Sequence, residues 1–118
     1  LPESMRFAVE YYGESDVLCV GDWNSDGAYF DEESYQDFFP PDQYLWIIPN
    51  SADTTVARQS NTYDRIAATS AMQEDWTGEC GVYRFDEAEA FSSLGIDAIA
   101  ISDHYPIWAS FYIEKDID

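Results

Sequence analysis

Residues 16–24 read Asp-Val-Leu-Cys-Val-Gly-Asp-Trp-Asn, and this stretch decides the fold class. Val17 to Val20 is an apolar run without alternation, the mark of a short strand covered on both faces. Gly21 lets the chain turn, so an acid, Asp22, and an amide, Asn24, project from the end of that strand. Layered α/β folds build their sites at strand ends.

Working outward, Met5, Ala8, Val9 and Tyr12 recur at helical spacing and Gly13 follows as a stop signal, which predicts an amphipathic helix over about 3–12. Downstream, a short helix is expected from Asp31 to Phe38, closed by Pro40-Pro41. A strand follows at Tyr44–Ile48, stopped by Pro49, and a polar loop runs from Asn50 to Asn61. Further strands are expected at Tyr63–Ala68, Val82–Phe85 and Ile107–Ile113, with a helix from Asp86 to Leu94. The runs 45–48 and 107–113, like 17–20, are apolar in both registers. The helices at 3–12 and 86–94 suffice for one sheet face only. The other face would leave large side chains in water, each worth roughly 1.5–3 kcal/mol when buried, so a further segment is expected to cover it.

Hydrophobic residues make up 46% of the 118 and aromatics 17%, which excludes a disordered tail. No apolar run is long enough to span a membrane, and Leu1-Pro2-Glu3-Ser4 has neither part of a signal peptide. Twenty-four acids face five Lys/Arg, a net charge of −19. Phosphate-binding proteins usually carry the opposite sign. Adaptation to high salt reconciles the two, because the Debye length falls to about 3 Å in molar salt. Cys19 reads as a small buried hydrophobe and Cys80, in Gly-Glu-Cys-Gly, as part of a turn. Two such cysteines make neither a disulfide framework nor a metal site.

Three polar clusters stand at strand ends. Gly21-Asp22-Trp23-Asn24 offers an acid and an amide, a pair able to bind a hard cation and a phosphate oxygen together. Tyr63-Asp64-Arg65-Ile66 opens a strand with an acid. Ser102-Asp103-His104-Tyr105-Pro106 holds the only histidine. On extended backbone Asp103 and His104 point to opposite sides, so one is placed for a metal and the other for a proton, with Asp64 available to orient the imidazole. Taken singly, each cluster also reads as a plain turn, cap or salt bridge.

Taken together and in this order, the clusters resemble the endonuclease/exonuclease/phosphatase superfamily, whose Gly-Asp-Phe-Asn and Ser-Asp-His-Tyr-Pro motifs are matched by residues 21–24 and 102–106. Trp46-Ile47-Ile48-Pro49-Asn50-Ser51-Ala52-Asp53-Thr54-Thr55 and Tyr63-Asp64-Arg65-Ile66 narrow the resemblance to its deoxyribonuclease branch. The likeness runs from about residue 16 to residue 113. It implies an α/β fold, half of a four-layer α/β/β/α sandwich with one mixed sheet and flanking helices, in which residues 1–118 form the C-terminal half of the catalytic domain. It implies a secreted, divalent-metal-dependent endonuclease acting on DNA, with Mg2+ or Mn2+ as cofactor, and the charge adds the expectation of a halophilic source.

Residue by residue, the resemblance implies that Asp22 and Asn24 bind the catalytic metal and the scissile phosphate, and that Asp103 is a further metal ligand. His104, held by Asp64, is one of two catalytic histidines. Asp53 and Thr55 match a structural Ca2+ site, and Tyr29 and Tyr63 match contacts to the DNA backbone. Departures are also plain. The family's cysteine pair beside the calcium loop is replaced by Gly27 and Asn61, and two threonines of that loop by Ala57 and Gln59. The family's N-terminal half, with its own catalytic histidine, is expected as the partner of this chain, which alone is expected to be inactive. The same residues also admit two other readings: a superfamily phosphodiesterase acting on phospholipid or sugar phosphates, and a non-catalytic binding half-domain.

Overall fold

The computed structural model describes residues 1–114. The first helix, α1 (Pro2–Tyr12), starts with Pro2 in its first turn, where a missing N–H costs nothing, and ends at Gly13 in the left-handed conformation. Met5 is its buried residue. Ala8 and Val9 are half-buried, whereas Tyr12, expected on the buried stripe, is exposed.

Strand β1 (Leu18–Asp22), β2 (Tyr44–Trp46) and β3 (Asp64–Thr69) form one antiparallel sheet in the order β1-β3-β2. Residues opposite one another on paired strands share a face. Cys19 opposite Ala67 looks towards α1, where Met5, Phe39, Tyr44 and Ala67 pack with Trp23 and Trp46. Val20 opposite Ile66 and Leu18 opposite Ala68 look the other way. On that second face Ile47, Ile48, Ile66 and Ala68 pack against Trp76 and Cys80 of β4 (Trp76–Val82) and against Ile107, Ala109 and Phe111 of β5 (Ile107–Phe111).

The expected single mixed sheet is therefore replaced by two sheets, β1-β3-β2 and β4-β5, and every strand pairing among the described residues is antiparallel. The fourth strand lies earlier than expected, at 76–82 rather than 82–85. Its interior, Thr-Gly-Glu-Cys-Gly, lacks the β-branched and aromatic run that marks a strand in sequence. Cys80 accordingly sits in a strand and not a turn. The helix expected from Asp86 to Leu94 is broken into a 3-10 turn, Phe85–Glu87, and α2 (Glu89–Ser92). The segment 31–38 is helical, but as a 3-10 helix over Glu32–Asp37 capped by the Asp31 side chain.

The face opposite α1 is only partly covered. Leu18 and Val20 on the edge strand are 41% and 58% exposed. The molecule is a slab of 49 × 36 × 22 Å with a radius of gyration of 16.1 Å. A compact chain of this length would have a radius of about 13.5 Å, so the fold is flatter than one closed around its own core.

Candidate active site

β1 ends where β3 begins, and the pair at that edge is Asp22 opposite Asp64. Two carboxylates directly opposite on neighbouring strands repel, and the position calls for positive charge between them. His104 supplies it. Its Nδ1 lies 2.7 Å from Asp64 Oδ2 and its Nε2 3.8 Å from Asp22 Oδ2. Because the carboxylate can only accept, Nδ1 carries the proton and donates it to Asp64, which leaves Nε2 as the atom free to exchange a proton at the surface.

Burial pulls the His104 pKa down, but the Asp64 hydrogen bond and the charges of Asp64, Asp22 and Asp103 outweigh it, and the net shift is upward. The folded state thus favours the imidazolium. This contributes stability that is fully present below the ordinary value of about 6.5 and fades as pH rises through the raised one. The sole histidine makes this measurable. In the metal-free protein its C2–H proton NMR signal is expected to titrate above the ordinary value, and Asp64→Asn is expected to bring the midpoint down. An unchanged midpoint in that variant would show that Asp64 does not hold the ring.

The loop after β1 shapes the rest of the site. Gly21 takes φ +157 with Trp23 packed close to it. Asn24 has φ 49, a left-handed conformation that asparagine tolerates better than most residues, and its N–H donates to Asp22 Oδ1 at 3.0 Å. The carboxylate of Asp22 and the backbone of Asn24 are thus locked in one turn. Tyr63 stands beside His104, ring centroids 6.2 Å apart, and Tyr29 packs edge-on against Tyr63.

The polar loop 50–61 links the two halves of the site. Thr54 is buried; its hydroxyl accepts from the N–H groups of Tyr63 and Asp64, and its carbonyl accepts from Tyr105 N. Thr55 bridges His104, and Val56 N donates to the Asp103 carbonyl. Thr54 thereby sets the distance between Asp64 and His104, a role its sequence context did not reveal. The structure brings together Asp22, Asp64 and His104, whose ligand atoms all lie within 4.8 Å of one another. Asp103 stands outside that trio and acts on His104 through its charge. Asp53 and Thr55 lie across the loop, with Asp53 Oδ1 accepting from Thr55 N, Thr55 Oγ1 and Asn61 N.

Two arginines escaped the sequence reading. Arg65, fully buried, spends all five N–H donors: Nε on Ser25 Oγ, Nη1 on the Ile48 carbonyl and Asn50 Oδ1, Nη2 on the Ser25 carbonyl and Glu32 Oε2. Its guanidinium also lies over Trp46. Burial, followed by the charge of Asp26, raises the Glu32 pKa despite the Arg65 partner. Arg65 therefore pins both the loop after Asn24 and the start of the 50–61 loop. Arg84 pairs with Asp53 and lies over the Tyr105 ring. A signal existed: the chain has only five Lys/Arg, and two of them are used in internal networks.

Gly27 and Asn61 are neighbours in space. A Cβ on Gly27 would come within 2.9 Å of the Asn61 side-chain oxygen and 3.3 Å of the Tyr63 hydroxyl, and Gly27 has φ +62. Beside them, Thr62 N donates to Asp26 Oδ2 at 2.7 Å. Hydrogen bonding and close packing join these two loops.

No family model matches the chain. Among curated proteins it is similar to deoxyribonuclease-1-like 2 of Homo sapiens, with 33% identity over 101 residues, 84% of this chain and 34% of that protein. It is similar to deoxyribonuclease-1 of Ovis aries, with 35% identity over 96 residues, 79% of this chain and 36% of that protein. With deoxyribonuclease-1 of Bos taurus it shares 32% identity over 95 residues, 79% of this chain and 34% of that protein. The chain spans about a third of the length of these relatives, and along some four-fifths of its own length it is a deoxyribonuclease-like sequence.

Proposed function

We propose that this chain contributes one side of the active site of a divalent-metal-dependent endonuclease that hydrolyses DNA phosphodiester bonds. The observation that carries the reading is the Asp64–His104 dyad set 3.8 Å from Asp22 at the ends of paired strands. In this reading His104 Nε2 takes or gives the proton at the reacting oxygen, and Asp64 holds the ring in the required tautomer. The acid of Asp22, opposite Asp64 at the strand ends, suits a hard cation, and in this reading Asp22 and Asn24, joined by Asp103, would hold Mg2+ or Mn2+. Such an ion, when bound, stabilises negative charge developing on a phosphate. In this reading Tyr29, 71% exposed, and Tyr63, whose ring stands beside His104, would meet the backbone of the DNA strand.

The flat slab and the exposed Leu18 and Val20 support the further reading that residues 1–118 are the C-terminal half of a four-layer sandwich. An N-terminal half would cover this face and complete the site. Secretion and a high-salt habitat belong to the same proposal; the first rests on the resemblance, the second on the charge of −19. No helix among the described residues is long and apolar enough to cross a membrane.

The test is plasmid nicking in magnesium by this chain with and without a separately prepared N-terminal half. The chain alone is expected to be essentially inactive, because loss of one acid–base group typically costs about 10²–10⁴-fold, and the pair is expected to nick. Full activity from the chain alone would reject the half-site. Hydrolysis of lysophospholipid or inositol phosphates in preference to duplex DNA would reject the substrate.

A further inference from the structure

We propose that Arg84 is a built-in cation for the 50–61 loop, so that the loop that seats His104 is braced without calcium. Asp53 is the only acidic residue of that loop. One carboxylate oxygen is surrounded by three donors, from Thr55 N, Thr55 Oγ1 and Asn61 N at 3.0–3.3 Å. The other lies 3.7 Å from Arg84 Nη2. The same Nη2 donates to the Asp53 carbonyl at 3.3 Å.

A calcium ion takes about six to eight oxygen ligands, with carboxylates prominent among them. The donor set here does not fit one. The single carboxylate already faces four donors, and its main-chain oxygen is engaged by the guanidinium. Ala57 offers no side-chain oxygen, and the Gln59 carbonyl turns inward to lie 2.9 Å from Thr55 Oγ1, whose single proton it shares with Asp53 Oδ1. A dication would also be repelled by Arg84 and by Arg58 of the loop itself.

Arg84 is fixed for the task. Its guanidinium carbon stands 4.8 Å over the Tyr105 ring, and the Tyr105 hydroxyl donates to Asp86 Oδ2 at 2.8 Å. The brace therefore joins Asp53 to the residue directly after His104. The adjoining Thr54, Thr55 and Val56 pair with residues 103–105, so Arg84 is a positioning residue for His104. That last clause rests on the nuclease reading; the brace itself does not.

The experiment follows thermal unfolding of the full chain in millimolar CaCl2 against EDTA at matched ionic strength. Trypsin cleavage after Arg58, which lies on the exposed part of the loop, serves as a local probe. The unmodified chain is expected to show no saturable calcium response that Asp53→Asn removes. Arg84→Ala is expected to speed cleavage at Arg58 by about tenfold, from the lost hydrogen bond, ion pair and ring contact together; Arg84→Lys is expected to recover part of the protection. A saturable rise in melting temperature with calcium that Asp53→Asn abolishes would overturn the proposal, and so would an unchanged cleavage rate in Arg84→Ala. Should Arg84→Ala fail to fold, the calcium titration of the unmodified chain still decides. Neither readout is DNA hydrolysis, so this proposal can fail while the nuclease reading stands.

Discussion

Under the proposed nuclease function, His104→Ala is expected to lower DNA hydrolysis by the complete protein by about 10²–10⁴-fold, the usual cost of losing a general acid or base, with metal affinity nearly unchanged. The expectation follows from the geometry. His104 Nδ1 is committed to Asp64 at 2.7 Å, and Nε2 is the only ring atom left for proton transfer. Asp64→Asn is expected to cost less than His104→Ala, since the ring remains but its tautomer is no longer enforced. Asp103→Asn is expected to weaken metal affinity as well as rate, in keeping with a ligand role. The checks are single-turnover hydrolysis and calorimetric titration with Mg2+. Equal losses of metal affinity in His104→Ala and Asp103→Asn would show that the roles are wrongly divided.

Arg65→Met is expected to destabilise the fold by about 3–5 kcal/mol, the cost of breaking a buried pair and leaving one charge alone. That is a large share of the roughly 5–15 kcal/mol of a typical domain. Methionine retains much of the side-chain volume, so the loss reports the five hydrogen bonds and the Glu32 pair rather than a cavity. Adding Glu32→Gln is expected to restore part of the stability, because the stranded acid is removed. Urea unfolding measures both variants. A cost below about 1 kcal/mol for Arg65→Met would mean that the network is solvated in solution and contributes as a surface pair does.

The parts of the fold legible in the sequence were those with strong local patterns. Val17–Val20 and Ile107–Ile113 are largely apolar, Tyr63–Ala68 turns apolar after its polar start, and each lies in or overlaps a strand of the structure. Strand β4 was illegible because its register is set by partners far along the chain. Gly81 is there because Trp108 lies across it, where a Cβ would meet the indole at 2.9 Å, and no local pattern announces that contact. The helix expected at 86–94 failed for a related reason. Asp86 is drawn to the Tyr105 hydroxyl, and the segment bends between two short turns instead of running on as one cylinder.

The site was legible to a different degree. Asp22, Asp64 and His104 could be picked out because acids and a lone histidine at strand ends are conspicuous, and the structure does bring them together. Their spacing was not readable. It depends on Thr54, a buried hydroxyl that reaches Tyr63 N and Asp64 N while its carbonyl holds Tyr105 N. Such a residue carries no chemistry of its own and becomes visible only when its partners are known.

The packing of Gly27 against Asn61 has a consequence for redox sensitivity. The loops flanking the site are tied by the Asp26–Thr62 hydrogen bond and by the Asp53–Arg84 pair, with no sulfur in either link. The two thiols lie elsewhere, Cys19 facing α1 and Cys80 among the residues between β3 and β5. Both are free, and burial pushes both thiol pKa values up, which keeps them protonated and poor nucleophiles. A reducing agent therefore finds no bridge to cut in these ties, and the geometry around His104 does not depend on a disulfide between them.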